Sequence, residues 1–264
     1  MPTNAPKAIQ EAVRRLRGAR VLPSTLSSNE LAGIATDVRK QAIFSAKVAK
    51  TETLGRIRRL VQDVVEGKRK PEEAREALEK YVKRGRYVAP EGKEGTIEDL
   101  GSEARTRLII QTNVGLARGY GRKLAAQENI GRRPFWELYR QSPRMIPRDW
   151  RLRWRLAGGR VRRQRFVAPI NDGIWTRLSR FGTPYPPFDF NSGMGVRSLT
   201  TSQGAEVGVK RPANPGTFEP SVMAPVRKAT LMVEDADMRA ALLGSLNEYG
   251  DDYRITREGV LTQA

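Results

Sequence analysis

RRPFWELYRQSPRMIPRDWRLRWRLAGGRVRRQRFVAPINDGIWTRLSRFGTPYPPFDFNSGMGVRSL, residues Arg132 to Leu199, decides how this 264-residue chain is read. It holds all four tryptophans, Trp136, Trp150, Trp154 and Trp175. It ends in Tyr185-Pro186-Pro187-Phe188-Asp189-Phe190-Asn191-Ser192-Gly193-Met194-Gly195, where turn formers alternate with aromatics. From Arg132 to Arg180 there are fourteen arginines, no lysine and three acids, Glu137, Asp149 and Asp172, a net charge of +11. Pro134, Pro143, Pro147, Pro169, Pro184, Pro186 and Pro187 exclude long helices. The pattern predicts a small α+β module built on loops. Phe135 to Tyr139 reads as a strand, Ile146 to Ala157 as a short helix opened by Pro147 and Asp149, Val161 to Ala168 as an arginine-rich strand, and Asp172 to Phe181 as a short helix or turn.

Upstream the periodicity is helical. Ile9, Val13 and Leu16 fall at helical spacing in a basic run, a small docking helix or basic arm rather than a membrane-surface helix, because three apolar anchors are few. Ser27 and Glu30 have capping-box spacing. From Leu31 apolar residues recur through Ile34, Val38, Ala42, Ala46, Leu54, Ile57, Leu60, Val61 and Val65, a 3.6-residue period sustained over about ten turns and ended by Gly67. Gly55 is a point of weakness or bending within it. Pro71 opens the next helix, with Glu72 and Glu73 in its positive first turn, a stripe through Ala74, Leu78 and Val82, and Gly85 at its end. A third helix is expected from a Thr96 cap to about Ala126. Its small residues Gly115, Ala117, Gly119 and Gly121 read as a site of close helix packing rather than a phosphate cradle, since no strand precedes them.

Downstream, Ser202 to Ala224 is rich in Gly, Pro, Ser and Thr and reads as an extended linker. From Ala229 the charge inverts, with seven acids against three arginines. Val233, Met238, Ala241, Leu242 and Leu246 suggest one amphipathic helix, and Tyr253 and Ile255 a short strand in the tail. The expected fold class is therefore α+β: an elongated N-terminal α-helical hairpin or bundle, then a small loop-rich α+β domain and an extended C-terminal arm. The boundaries are a basic arm over 1–28, a helical stalk over 29–131, the Trp/Arg-rich module over 132–200, a linker over 201–228 and an acidic tail over 229–264.

Composition removes several chemistries. The chain has no cysteine and no histidine, which excludes disulfides, thiolate or imidazole metal ligands and a Ser-His-Asp triad. Glu137, Asp172 and Asp189 are too scattered in sequence to form a recognisable metal site. No cofactor and no catalytic residue is expected. No apolar run approaches the roughly 20 residues that span a bilayer, and the N-terminus has no signal-like apolar segment, so residence in the cytoplasm of the producing cell is expected. The formal charge is +19. Such a field attracts polyanions, nucleic acid first among them, and equally suits solvated helix faces or an acidic protein partner. The candidate polyanion contacts are Arg148, Arg151, Arg153, Arg155, Arg160, Arg162, Arg163 and Arg165. Aromatics and arginines interleave at Trp150-Arg151-Leu152-Arg153-Trp154-Arg155, as at sites that stack on bases, although buried tryptophans with snorkelling arginines give the same pattern.

Over about residues 30 to 200 the chain resembles the minor head proteins of tailed bacteriophages, the head-morphogenesis (Mu-F-like) family. That family has a helical half ending in an Arg- and Thr-containing helix, which Arg105-Thr106-Arg107-Leu108-Ile109-Ile110-Gln111-Thr112-Asn113 matches, with Arg107 and Thr112 as motif positions. An Arg-x-x-His follows, with Gly five residues on, then a Trp-containing turn, a Tyr-Pro-Pro and a Gly-Cys-Arg-Cys ending. Arg151-Leu152-Arg153-Trp154 with Gly159, Trp175, Tyr185-Pro186-Pro187 and Gly195-Val196-Arg197-Ser198 stand in those places. The departures are Trp154 for the His, and Val196 and Ser198 for the two Cys. Any metal or disulfide role of those side chains in relatives is impossible here, and aromatic packing and arginine hydrogen bonds must hold the turn instead. The resemblance implies a structural protein of the virion, present in few copies at the portal vertex. It would bind the portal protein and other head or connector proteins, and act in capsid assembly and DNA packaging or delivery, with packaged double-stranded DNA as a further partner. A basic DNA-binding protein of another kind and a metal-dependent nuclease are the other readings.

Overall fold

The computed structural model describes residues 6–19, 43, 48, 51–144, 147–218, 228–230, 240, 243, 253–256 and 260–263. The fold is α+β, with seven helices and two three-stranded antiparallel sheets among the described residues. They group into two compact units, one of residues 13–117 and 220–264 and the other of 2–12 and 118–219. No described helix is long and apolar enough to cross a membrane.

In the first unit, α2 (Thr51–Val65) and α3 (Pro71–Arg84) pack as neighbours. The expected stripe is buried: Leu54, Ile57, Leu60, Val61, Val64 and Val65 on α2, and Ala74, Leu78 and Val82 on α3. Helix α2 runs through Gly55 without a break, and the earlier part of the long expected helix, before Thr51, lies outside the described residues except for Ile43 and Val48. Pro71 opens α3, where the Glu73 carboxylate accepts from the Lys70 amide at 3.1 Å, and Gly85 closes it. The C-terminal half of α1 (Lys7–Gly18) buries Val13 and Leu16 as its spacing predicts.

The third expected helix starts later than Thr96. Residues 96–102 form turns, and α4 runs from Glu103 to Glu128. Local side-chain bonds win over helix propensity here. The Asp99 carboxylate accepts from the Gly95 amide at 2.9 Å and the Gly101 amide at 2.8 Å, and the Thr96 hydroxyl donates back to the Lys93 carbonyl at 2.6 Å. Ser102 then supplies the first-turn acceptor, bonded by the Arg105 amide at 3.1 Å. The acidic tail contributes β4 (Lys228–Thr230), β5 (Tyr253–Ile255) and β6 (Val260–Gln263), ordered β4-β6-β5, so the strand expected at Tyr253 and Ile255 is present. The amphipathic helix expected over 233–246 lies outside the described residues save for Ala240 and Leu243, both helical.

The second unit is built on a sheet of order β2-β1-β3: β1 is Phe135–Arg140, β2 Phe166–Pro169 and β3 Met194–Leu199. Register sorts the side chains, because directly paired residues share a face. Phe135 pairs with Pro169 and Leu199, and Glu137 with Val167 and Arg197. On this face Phe135, Val167 and Leu199 form a core with Val207 and Val209. The opposite face carries Trp136 with Ala168 and Ser198, then Leu138 with Phe166 and Val196. It is covered by α5 (Trp150–Leu156) and α6 (Ile174–Leu178), which touch each other.

Two expectations on this unit change. The arginine-rich strand over 161–168 is a tight turn followed by the short β2. Arg162 and Arg165 exchange both backbone hydrogen bonds, at 3.0 and 2.8 Å, and Arg163 and Gln164 between them have φ of 46° and 65°. Two left-handed residues in a two-residue turn reverse the chain where alternation alone would continue it. The segment expected as a linker from Ser202 begins instead as α7 (Thr201–Glu206). Thr200 caps it, its hydroxyl accepting from the Gln203 amide at 3.3 Å, and Gly204 lies so close to the Phe135 ring that a Cβ would overlap it.

Candidate functional site

Three of the tryptophans, Trp136, Trp154 and Trp175, meet in one aromatic cluster of the second unit, and Tyr185 of the Tyr-Pro-Pro turn lies in a neighbouring one with Tyr120 and Phe218, the Lys123 ammonium over a ring of each. Trp175, on α6, is fully buried. Its ring lies edge-on to Trp136 at 5.8 Å and to Trp154 at 5.5 Å, and stacks on Phe188 at 5.8 Å. Each such pair adds about 1 kcal/mol beyond burial. The Trp175 indole N–H donates to the Pro169 carbonyl at 2.8 Å, tying α6 to the end of β2. Asp172 starts α6 by accepting from the Ile174 amide at 2.8 Å.

Trp154 and Gly159 form a pair. The Trp154 indole lies against Gly159, where a Cβ would overlap the ring, and its N–H donates to the Arg160 carbonyl at 3.1 Å. The indole thereby closes the turn that leaves α5. Tyr185 is buried, edge-on to Tyr120 of α4 at 5.9 Å and to Phe218 at 6.2 Å. Pro186 and Pro187 are joined by a cis bond. The Pro186 carbonyl sits against Gly119, and the Ala8 carbonyl of α1 against Gly121, so that a Cβ on either glycine would overlap an oxygen. Close approach at the small-residue run was expected. At Gly121 the partner is a helix, and at Gly119 it is the Tyr-Pro-Pro turn.

Two buried carboxylates organise the arginines. Asp189 is fully buried. Arg153 donates to it at 2.7 Å, Arg148 approaches at 3.3 Å and Arg180 at 4.0 Å. Glu137 is held by two arginines. Arg165 binds it bidentately at 2.7 and 2.6 Å, and Arg197 donates at 2.7 Å. Burial raises the Glu137 pKa, the hydrogen bonds from Arg165 and Arg197 lower it, and the net effect holds it below the usual carboxylate range. The Glu137 partnership in turn raises the Arg165 pKa.

The eight arginines read as polyanion contacts therefore separate. Arg148, Arg153 and Arg165 hold acids, and Arg151 donates to the Gln164 side chain. Arg155, Arg160 and Arg163 are exposed with no acidic partner among the described residues, and Arg162 is half-buried beside Gly208. The motif positions separate too. Trp154, Gly159 and Trp175 belong to the tryptophan cluster, and Tyr185, Pro186 and Pro187 to the turn packed on Gly119 and Tyr120. Gly195 is buried on β3 under the Gln141 side chain, and exposed Arg197 beside it joins the Glu137 cluster. Arg107 and Thr112 belong to the other unit: Arg107 is exposed and pairs with Glu103 one turn back, and Thr112 is buried on α4. Arg151 is exposed on α5.

The fold also exposes a residue that sequence reading passed over. Lys123 is buried, its ammonium nitrogen donating to the Ile170 carbonyl and lying 4.8 Å from the centre of the Trp136 ring and 5.5 Å from that of Phe218. Desolvation pushes its pKa down to about 7. The available signal was its position: Leu116, Tyr120 and Lys123 fall at i, i+4 and i+7, on the apolar stripe of α4.

Among the described residues no group of three or more acids is placed to hold a metal ion. Glu137 and Asp189, two of the three acids weighed as ligands, face arginines, and Asp172 caps α6. The arrangement offers packing and a surplus of guanidinium groups. No family model, curated protein or solved structure matches this chain.

Proposed function

We propose that this chain is a structural assembly protein, a minor head protein of a tailed phage that acts at the portal vertex in capsid assembly and in DNA packaging or delivery. The observation that carries the reading is that Trp154, Gly159 and Trp175 pack in one aromatic cluster and Tyr185-Pro186-Pro187 in the neighbouring one, against Gly119 and Tyr120. These residues lie up to 33 positions apart in sequence. All of them are motif positions, and all of them have structural roles in the second unit.

The departures from the family pattern fit the same reading. Trp154 stands where the family has His, and its indole closes the turn by packing on Gly159 and bonding the Arg160 carbonyl. Val196 and Ser198 stand where the family has Cys, on the sheet face that carries Trp136. Packing does there what a metal or a disulfide does by bonding. The partners proposed are the portal protein and other head or connector proteins, with packaged double-stranded DNA as a second contact, and the location proposed is the virion. Exposed Arg155, Arg160 and Arg163 favour the second reading, a basic DNA-binding protein, because they carry charge that no described acid neutralises.

One pair of measurements decides. The purified chain is co-sedimented with the portal protein of its own phage, and separately with double-stranded DNA, at rising salt. Portal association that survives physiological salt while DNA is released supports the assembly role. Salt-resistant DNA binding with no portal association refutes it, and metal-dependent nicking of the DNA would make the chain a nuclease.

A further inference from the structure

We propose that the tight turn between Arg162 and Arg165, together with the exposed arginines of α5, forms a sequence-independent grip on the backbone of duplex DNA. The inference rests on the double-stranded DNA contact proposed above and assigns that contact to particular residues. Arg163 and Gln164 fill the two central positions of the turn, both left-handed, with φ of 46° and 65°. Asn-Gly meets such a turn with least strain, and neither residue present relieves it. Both are exposed, while Arg162 and Arg165 at the base of the turn are half-buried. Arg165 is committed to Glu137, so the charge that the tip carries into solvent is that of Arg163. Strained backbone persists where the side chains it displays serve another purpose than the turn, and here one of them is a guanidinium at a convex tip.

The tip does not stand alone. The Gln164 side chain accepts from Arg151, which holds the tip beside α5. Arg155 lies one turn further along the same face of that helix, its Cβ about 5–6 Å from that of Arg151. Arg160 follows in the turn that leaves α5, where its carbonyl accepts from the Trp154 indole. Arg151, Arg155, Arg160 and Arg163 are exposed, and none has an acidic partner among the described residues. The acids of this stretch are engaged elsewhere: Asp149 accepts from the Leu152 amide at 2.9 Å, and Glu137 holds Arg165 and Arg197. A duplex carries one phosphate charge per about 1.7 Å of its axis, so guanidinium groups this close together each find a phosphate, which the planar fork binds through two hydrogen bonds. A convex tip also fits a groove of the duplex. Leu152 and Leu156 are exposed on α5 next to Arg151 and Arg155. An acidic protein surface would cover these leucines and a phosphate backbone would not, so they separate the two ligands experimentally.

The test is the affinity of the full chain for a duplex oligonucleotide, read by fluorescence anisotropy between about 50 and 200 mM salt. Each phosphate contact contributes about −0.9 to the slope of log K against log salt, so the four arginines together account for about a 150-fold loss of affinity over that range. Arg151→Gln, Arg155→Gln, Arg160→Gln and Arg163→Gln are each expected to flatten the slope by about one unit, and duplexes of unrelated sequence to bind alike. Arg163→Asn/Gln164→Gly gives the turn the residues it prefers. This variant is expected to melt a few degrees above the wild type and yet to bind the duplex more weakly, which separates binding from folding. Leu156→Gln, and Arg84→Gln at an exposed position of α3, are expected to leave the slope unchanged. A wild type that binds no duplex overturns both the proposal and the DNA contact on which it rests. Slopes that the four arginine variants leave unmoved, or that Arg84→Gln flattens equally, overturn the site alone. So does portal association that is lost with the arginine variants and with Leu156→Gln while DNA binding persists, because the face is then a protein contact. Portal association of the wild type is measured in the same series, so failure of the assembly role is read apart from failure of this site.

Discussion

Lys123 makes the fold more stable in base than at neutrality, and the size of the effect follows from its burial. The ammonium is removed from water among Trp136, Phe218 and the Ile170 carbonyl, and its pKa falls from 10.5 to about 7. In the unfolded chain the group remains protonated up to its ordinary value. Between about pH 7 and 10 the unfolded state therefore binds one more proton than the folded state, and stability rises with pH. One pKa unit corresponds to about 1.4 kcal/mol, so the gain from pH 7 to pH 9 is about 2 kcal/mol, and below about pH 6 both states are protonated, stability is lowest and the dependence flattens. Substitution by Met keeps the unbranched stem and removes the titrating group. It leaves the Ile170 carbonyl without its donor, a fixed cost of about 1 kcal/mol that does not vary with pH. Urea unfolding at pH 7, 8 and 9 measures both chains. The wild type is expected to gain stability across the series, while Lys123→Met stays flat. Parallel profiles for the two chains would refute the assignment of the pH dependence to this group.

Glu137 should act in the opposite direction. Its folded-state pKa lies below the usual carboxylate value, so its stabilisation is present above about pH 4.5 and is lost as pH falls through the folded-state pKa, an acid transition that Glu137→Gln removes. At pH 7 the same substitution should cost about 2 kcal/mol, less than a fully buried pair would, because Arg197 is more than half exposed and solvent screens it; denaturant unfolding reads both effects. Gly121→Ala places a methyl against the Ala8 carbonyl and should destabilise by about 2 kcal/mol in thermal unfolding, whereas Gly131→Ala, with open space around it, should not. Trp175→Ala removes the ring on which three others pack and should cost about 4 kcal/mol, with loss of near-ultraviolet circular dichroism. A Trp175→Ala variant that melts like the wild type would refute the core role.

The helices were legible because a sustained 3.6-residue period has one physical meaning, a buried stripe. Leu54 through Val65 and Ala74 through Val82 are buried as their spacing requires. The failures lie where side chains bond their own backbone. Thr96 and Ser102 are both credible caps, and the choice between them depends on Asp99, whose carboxylate binds the Gly95 and Gly101 amides and commits that stretch to turns. Val161 to Ala168 alternates like a strand, but two left-handed residues at Arg163 and Gln164 reverse it, and neither residue type announces positive φ. Ser202 to Glu206 has no apolar period to detect. The short helix there exists because Gly204 fits against Phe135, nearly seventy residues away in sequence.

Charge shows the same limit more sharply, and it changes what the arginine-rich stretch means. Counted along the sequence, Arg132 to Arg180 is a block of uncompensated positive charge, which points to a polyanion. In the fold, its main counter-ion is Asp189, nine residues beyond the block, and Glu137 inside the block takes two arginines at once. A carboxylate buried without partners would cost several kcal/mol, so each buried acid requires arginines, and several of those arginines are structural for that reason. Arg155, Arg160 and Arg163 are exposed and face no acid among the described residues. Sequence counting had included Arg165, now committed to Glu137, and Arg148 and Arg153, which face Asp189. What the arginine-rich stretch can offer a partner is therefore decided by which of its arginines the buried acids engage, and not by their number along the sequence.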